Sequence, residues 1–432
     1  MSKSQKTSIF SRLLKKNKSF KKLTLTLIIV FLYRFCNTIP LGGIDQEALK
    51  QAFSQVSMNN SVIQILNMYS GGGGGITLLS PFSLGIVPFI NASILIDLLT
   101  AIVPFLEKLQ SEEGEFGRQK ILFYKKVLTL ILAIGQSYLL LFYLKPYIYN
   151  TNFLNFAILI SQLTCGALIL VWFSSLIDNK GIGNGTSIII FINIISTILN
   201  KNIFISENLT ISFVLQLVIL IFLMLLICIS QTSRIIVDVV SARQLSFLEN
   251  LEETDLEDKI PKKLKGKNES GLSIRLNQAG IFPIIIASNI IPFISYFLQS
   301  LFPSLVASLF SNLFYYCLII GFNYFYTIIF WDPEKISEQL RKASVSILNV
   351  TPGKDTVYYL ENVVRSSSLL GGIFLCFILL SFDILKQLID GSLLNQINIS
   401  SLIILVGVAY EIQKTARALF KNDLQNSIFK TN

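Results

Sequence analysis

Ten apolar runs, separated by polar stretches, make up nearly half of this chain. They are Leu23–Pro40, Phe82–Val103, Ile121–Phe142, Phe153–Ile177, Thr186–Leu199, Ile211–Ser230, Ala279–Leu298, Leu309–Trp331, Leu369–Leu388 and Ser401–Ala416. A helix crosses the hydrocarbon of a bilayer with roughly 20 apolar residues, so the pattern predicts ten membrane spans and an all-α polytopic fold. The second run is unusual. Five consecutive glycines, Gly71–Gly75, precede it, and it contains Gly85, Pro88, Asn91 and Asp97. Glycine and proline free backbone groups from the helix ladder. In lipid such groups need partners, so broken backbone is expected only where protein buries it or where it lines a wet cavity. The segment reads as part of a path through a membrane more than as an anchor.

Composition agrees. The 432 residues are 52% hydrophobic and 14% charged, with a mean hydropathy of +0.62. No soluble core of this size hides that much apolar sequence. The formal net charge is +10, from 36 Lys and Arg against 26 Asp and Glu. Alternating the ten runs sends nearly all the cations to the side of the N-terminus. The opposite side receives Lys50, Lys145, Lys201 and Lys386, and Arg34 lies within the first run. This is a strong positive-inside pattern, and it puts both termini on the inner side. The Lys-rich residues 1–22 read as a solvated inner tail rather than a transit peptide, and the residues after 417 as a second tail. The five cysteines all fall in apolar runs with no CxxC spacing and read as small buried hydrophobes. Histidine is absent, which excludes imidazole chemistry.

Two inner loops are large. Residues 231–278 hold an acidic block, Glu249–Asp258, then a basic block, Lys259–Lys267; residues 332–365 hold a mixed helix-like stretch and then Pro352-Gly353. Both read either as solvated faces or as docking surfaces. Complete motifs for nucleotide, zinc or serine-hydrolase chemistry are missing. The string Gly181-Ile-Gly-Asn-Gly-Thr-Ser187 looks like a nucleotide loop, but it joins two membrane runs rather than a strand and a helix. No enzyme activity and no cofactor are expected.

These strings, taken in order, resemble the SecY family, the channel subunits of the Sec protein translocase. Arg34, Ile39-Pro40 and Gly43-Ile44-Asp45 resemble the end of the family's first span. Leu84-Gly-Ile-Val-Pro-Phe-Ile-Asn-Ala-Ser93 resembles its first signature, Gly114-Glu-Phe-Gly-Arg118 the loop that follows, and Gly181 to Ser187 its second signature. Asn277-Gln-Ala-Gly-Ile-Phe-Pro283, Phe325-Tyr-Thr327, Asp332-Pro333 and Pro352-Gly353 continue the series. The resemblance implies ten helices in two inverted pseudo-repeat halves, residues 23–203 and 204–417, which open sideways like a clam. It implies a plug at about residues 60–79 that includes Ser70, Gly71, Gly72, Gly73, Gly74 and Gly75. It implies a constricting ring of Ile86, Ile90, Ile190, Ile285 and Ile404, with Thr186 where another aliphatic residue is common. Dewetted aliphatic constrictions block water and ions.

Asp97 departs from the family, which has Gln or Glu there. With Gln136 and Asn289 it is expected to form a polar seam at the lateral gate. Ser175 and Thr351 also depart, standing where an acid and an Arg are usual. Arg243, Arg275, Arg341, Lys342 and Lys354 are the expected docking residues for cytosolic partners. The partners implied are a SecE-like clamp subunit, a SecG-like subunit, the SecA motor ATPase or a ribosome, signal-bearing unfolded polypeptides, and membrane lipid. The richness in Ile, Phe, Leu, Asn and Lys resembles SecY encoded in algal plastids, implying a thylakoid location; a bacterial cytoplasmic membrane is the alternative. The rival functions are a secondary transporter of ions or solutes, for which Arg34 and Asp97 are the charges read within spans, and a structural assembly factor.

Overall fold

The computed structural model describes residues 18–55, 79–111, 113–150, 152–200, 211–241, 271–277, 279–280, 282–347, 350–388 and 399–428. In chain order the elements are α1 (Lys18–Cys36), α2 (Gln46–Gln55), α3 (Val87–Ile102), α4 (Pro104–Ser111), α5 (Gly114–Tyr143), α6 (Phe153–Lys180), α7 (Gly185–Asn200) and α8 (Ile211–Thr232). They continue with β1 (Arg234–Ser241), β2 (Gly271–Arg275), α9 (Phe282–Leu301), α10 (Ser304–Phe330), α11 (Pro333–Lys342), β3 (Val345–Ile347), α12 (Lys354–Leu388) and α13 (Ile399–Ile428). Each predicted run coincides with one helix: α1, α3, α5 to α10, α12 and α13. Among the described residues six helices are long and apolar enough to span a membrane alone, and the number rises to seven if α3 and the start of α4, bent by 105°, are counted as one span. The bend falls at Val103, whose extended backbone precedes Pro104. Proline disfavours helix in the residue before it, so the ladder stops there.

Packing divides the chain into two compact units, Met1–Phe213 with Ser392–Asn432, and Val214–Gly391. The core of the first unit is a cluster that includes Leu41, Leu49, Leu79, Leu84, Leu140, Leu144 and Leu163. It is centred on α5, α6 and the segment leading to α3. An antiparallel bridge between Ile44 and Ile148 ties the end of α1's connection to the turn after α5.

The second unit contains α9, α10 and α12, with Asn323 at its buried centre. Its amide donates to Ser368 O at 2.6 Å, joining α10 to α12. The second unit also holds the chief departure from an all-helical reading. The two large loops form an antiparallel sheet of order β2-β1-β3. β1 pairs with β2 from Arg234↔Arg275 to Asp238↔Gly271, and with β3 from Val239↔Ile347 to Ser241↔Val345. Ile235, Ile236, Val237, Val239 and Val240 are β-branched, which suits a pleated surface. Val237, Ile274 and Ile347 pack on Leu360 and Val364 of α12. The mixed stretch after Asp332 is helical as predicted. Asp332 caps α11 by accepting from the backbone N–H groups of Glu334 and Lys335, and Pro333 begins the helix.

Candidate functional site

The break predicted in the second run is real and is buried. Residues 81–86 are turns, and α3 begins only at Val87. The freed backbone groups find partners within the protein. Ser83 N donates to Ser80 O at 3.0 Å and Gly85 N to Phe82 O at 2.8 Å. Ser80 N donates to Ser83 Oγ, and Ser80 Oγ donates to Asn37 Oδ1, both at 2.8 Å. The Gln46 side chain both accepts from Leu79 N and donates to Leu79 O. Each such group left unpaired in the interior would cost about 1–3 kcal/mol, so the turns stand because these partners exist. Gly85 has φ +59, a left-handed conformation that favours glycine. Gly166 on α6 allows the turn to approach: a Cβ there would lie 2.0 Å from Pro81 O.

This turn sets two of the proposed ring residues. Ile86 and Ile90 are 2% and 7% exposed and lie one turn apart, with Ile90 N donating to Ile86 O. The second glycine string positions a third. Gly185 N donates to Asp178 Oδ1 at 2.7 Å, and Ile182 N donates to Thr26 Oγ1 of α1 at 3.1 Å. Asn184 Oδ1 accepts from both the N–H and the hydroxyl of Thr186, which turns Thr186 back on the loop. These contacts start α7, on which Ile190 is half-buried. Ile404 is half-buried on α13, which packs against α7. The structure therefore brings Ile86, Ile90, Ile190 and Ile404 into the first unit. Ile285 is half-buried on α9 of the second. The expected plug residues, Ser70 and Gly71 to Gly75, lie outside the described residues, as does Arg243.

Asp97 has a specific partner. Its Oδ1 lies 2.8 Å from Lys125 Nζ of α5, with side-chain exposures of 27% and 16%. Gln136 is eleven residues further along α5, about 16 Å at the helical rise. Asp97 therefore sits at the level of Lys125 and not beside Gln136, whose half-buried side chain has an unpartnered Oε1. The structure does not assemble these two into one seam. Asn289 lies on α9 in the second unit, and its side chain lies outside the described ones.

Sequence reading missed two carboxylates within apolar runs. Asp383 of α12 accepts from the Tyr316 hydroxyl of α10 at 2.8 Å. Glu411 of α13 accepts from the Ser187 hydroxyl of α7 at 3.1 Å. The signal was present: an acid inside an apolar run is costly unless it has a partner. Arg34, which was read, donates to Ser196 Oγ, and its neighbour Tyr33 donates to Asn193 Oδ1.

The expected docking residues of the second unit share one small subdomain. Arg275 ends β2 opposite Arg234. Arg341 and Lys342 are exposed in the last turn of α11, and Lys342 pairs with Glu338 at 3.2 Å. Lys354 is exposed at the start of α12. Thr351 has a local role here. Its hydroxyl donates to the Asp355 carboxylate, and its carbonyl accepts from Thr356 Oγ1 at 2.9 Å. Ser175, the other departure, donates to Val171 O within α6.

This geometry matches known proteins along nearly its whole length. The SecY family model matches residues 80–413. The chain is 36% identical over 427 residues to the protein translocase subunit SecY of Guillardia theta, covering 94% of this chain and 96% of that one. It is 36% identical over 408 residues to the same subunit of Porphyra purpurea, covering 91% and 94%. Among solved structures it is similar to one described as the structure of a protein conducting channel, with a TM-score of 0.64, 14% identity, and coverage of 95% and 94%. The apolar helices and this kinship make it a multi-pass membrane protein. The chain belongs to the SecY family.

Proposed function

We propose that this chain is the pore-forming subunit of a Sec translocon, conducting unfolded polypeptides across the membrane and releasing apolar segments sideways into lipid. The observation that carries the reading is the buried break before α3, which fixes Ile86 and Ile90 at the start of that helix. A regular span would have no reason to stop there. With Ile190, Ile404 and Ile285 they form a ring that seals against water when empty and adapts to any passing chain, because aliphatic side chains impose no hydrogen-bond geometry. The polar gate residues on this reading are Gln136 and Asn289. Asp97 holds α3 to α5 through Lys125. Residues 60–79, with the five glycines, act as the plug.

The chain supplies no catalytic step, and a partner provides the energy. Arg275, Arg341, Lys342 and Lys354 meet a SecA-like motor or a ribosome, together with Arg243 from the same loop as Arg275. SecE-like and SecG-like subunits complete the assembly. The termini face the stroma of a plastid, with the channel in the thylakoid membrane; the algal relatives support the plastid, and the charge pattern supports the orientation.

The competing reading is a solute transporter. It calls for charged groups converging at one site. Four of the described charges within spans are instead separately paired: Asp97 with Lys125, Asp383 with Tyr316, Glu411 with Ser187 and Arg34 with Ser196. Reconstitution with a motor and clamp subunit tests the proposal. Vesicles should take up a signal-bearing polypeptide in an ATP-dependent manner. Solute flux without polypeptide uptake would overturn it.

A further inference from the structure

The polar contacts of α7 are spaced evenly about Ile190. Three residues before it, Ser187 donates to Glu411 Oε2 on α13 at 3.1 Å. Three residues after it, Asn193 accepts from the Tyr33 hydroxyl on α1, and Ser196 then accepts from Arg34. The helical rise puts Ser187 and Asn193 about 4.5 Å on either side of Ile190. Positions three apart on a helix differ by about 60°, so Ser187 and Asn193 flank Ile190 on its two sides.

Apolar packing alone fixes the depth and rotation of such a helix weakly. Isoleucine and leucine contacts are interchangeable, and sliding by a fraction of a turn replaces one with another. A hydrogen bond has no such substitute. Tyr33 and Asn193 are 2% and 8% exposed, so a slide that parts them strands two buried polar groups. Ser187 is half-buried and Glu411 exposed, and the bond between them has a charged acceptor. One contact faces α1 and the other α13, so together they resist rotation in either sense.

We infer that Ser187–Glu411 and Tyr33–Asn193 are a pair of positioning contacts that hold α7 in register and so keep Ile190 in the constriction. The inference rests on the ring reading above and adds residues that are not ring members. Loosening either contact makes the resting channel leak ions even though every ring isoleucine remains.

The test measures resting ion conductance in planar bilayers, with the full chain and its partner subunits and no substrate. Conductance is normalised to the number of channels that a signal peptide opens, which removes poorly folded protein from the comparison. Ser187→Ala, Glu411→Ala and Tyr33→Phe should each raise resting conductance about tenfold, the scale of losing a hydrogen bond to a charged or buried group. Ser187→Ala combined with Glu411→Ala should leak no more than either alone. Glu411→Gln keeps a neutral acceptor for Ser187 and should leak less than Glu411→Ala. Ile190→Ser is the control for the ring itself. If Ile190→Ser leaks and the Ser187, Glu411 and Tyr33 variants do not, the positioning role is wrong and the ring stands. If none of them leaks, the ring reading fails and this inference fails with it. If Glu411→Gln leaks as much as Glu411→Ala, the effect belongs to charge and the hydrogen-bond argument is overturned.

Discussion

The approach to α3 and the α10–α12 pair both bury polar atoms among apolar residues, and they satisfy them by opposite means. Before α3 the backbone leaves the helix, and side chains of Ser80, Ser83 and Gln46 return to pair the freed groups. Between α10 and α12 both backbones stay helical, and a side chain, Asn323, reaches across to a carbonyl. The first arrangement needs close backbone approach, met by Gly166 against Pro81. The second needs only a well-placed amide. A broken element thus concentrates its stability in a few steric and hydrogen-bonding details, whereas a pair of regular helices spreads it over many interchangeable contacts.

The largest expected effect tests the steric half of that contrast. Gly166→Ala forces Pro81 O away and should lower stability by about 3 kcal/mol, read by thermal unfolding in detergent. Gly321→Ala on α10 is the control, because a Cβ there meets nothing within 4 Å. It should be neutral or stabilising by up to about 1 kcal/mol. Equal losses at both sites would end the comparison. Next comes Asp97→Ala, which leaves the Lys125 ammonium enclosed without its carboxylate. A loss of about 1–2 kcal/mol is expected, with partial recovery in the reversed pair Asp97→Lys with Lys125→Asp, measured as a double-mutant cycle. Asn323→Leu should cost about 0.5–1 kcal/mol, since it removes the bond to Ser368 together with an Oδ1 that has no partner. A loss above that of Asp97→Ala would show that the regular pair depends on one contact after all. Thr351→Arg should shift stability by less than about 0.5 kcal/mol, because only the exposed Asp355 contact is lost.

The helices were legible because each needs a long apolar stretch, and the break before α3 because Gly85 and Pro88 interrupt one. Sequence also located the turn at Gly181 to Ser187. What it could not supply was partnership. Asp97 is legible as an acid in an apolar run, but its partner Lys125 is not, because the lysine lies on a different run, Ile121–Phe142, and the sequence does not say which residues of two runs meet. Asp383 and Glu411 escaped notice because single acids near the ends of runs resemble boundary residues. The sheet escaped because β1 lies in a loop read for its charge blocks. Its five β-branched residues are a local signal, but the partners that make it a strand, β2 and β3, come from two different loops.

That sheet has a mechanical consequence. β1 follows α8 after a single residue, Ser233, and lies between its two neighbours. Antiparallel hydrogen bonds run perpendicular to their strands. Tension applied to the chain beyond Ser241 therefore acts along β1 and loads both ladders in shear, so their bonds must fail together rather than peel in turn. The same tension divides between α8 and, through β3, the α11–α12 corner. A pull on this one loop is delivered to two membrane helices of the second unit at once.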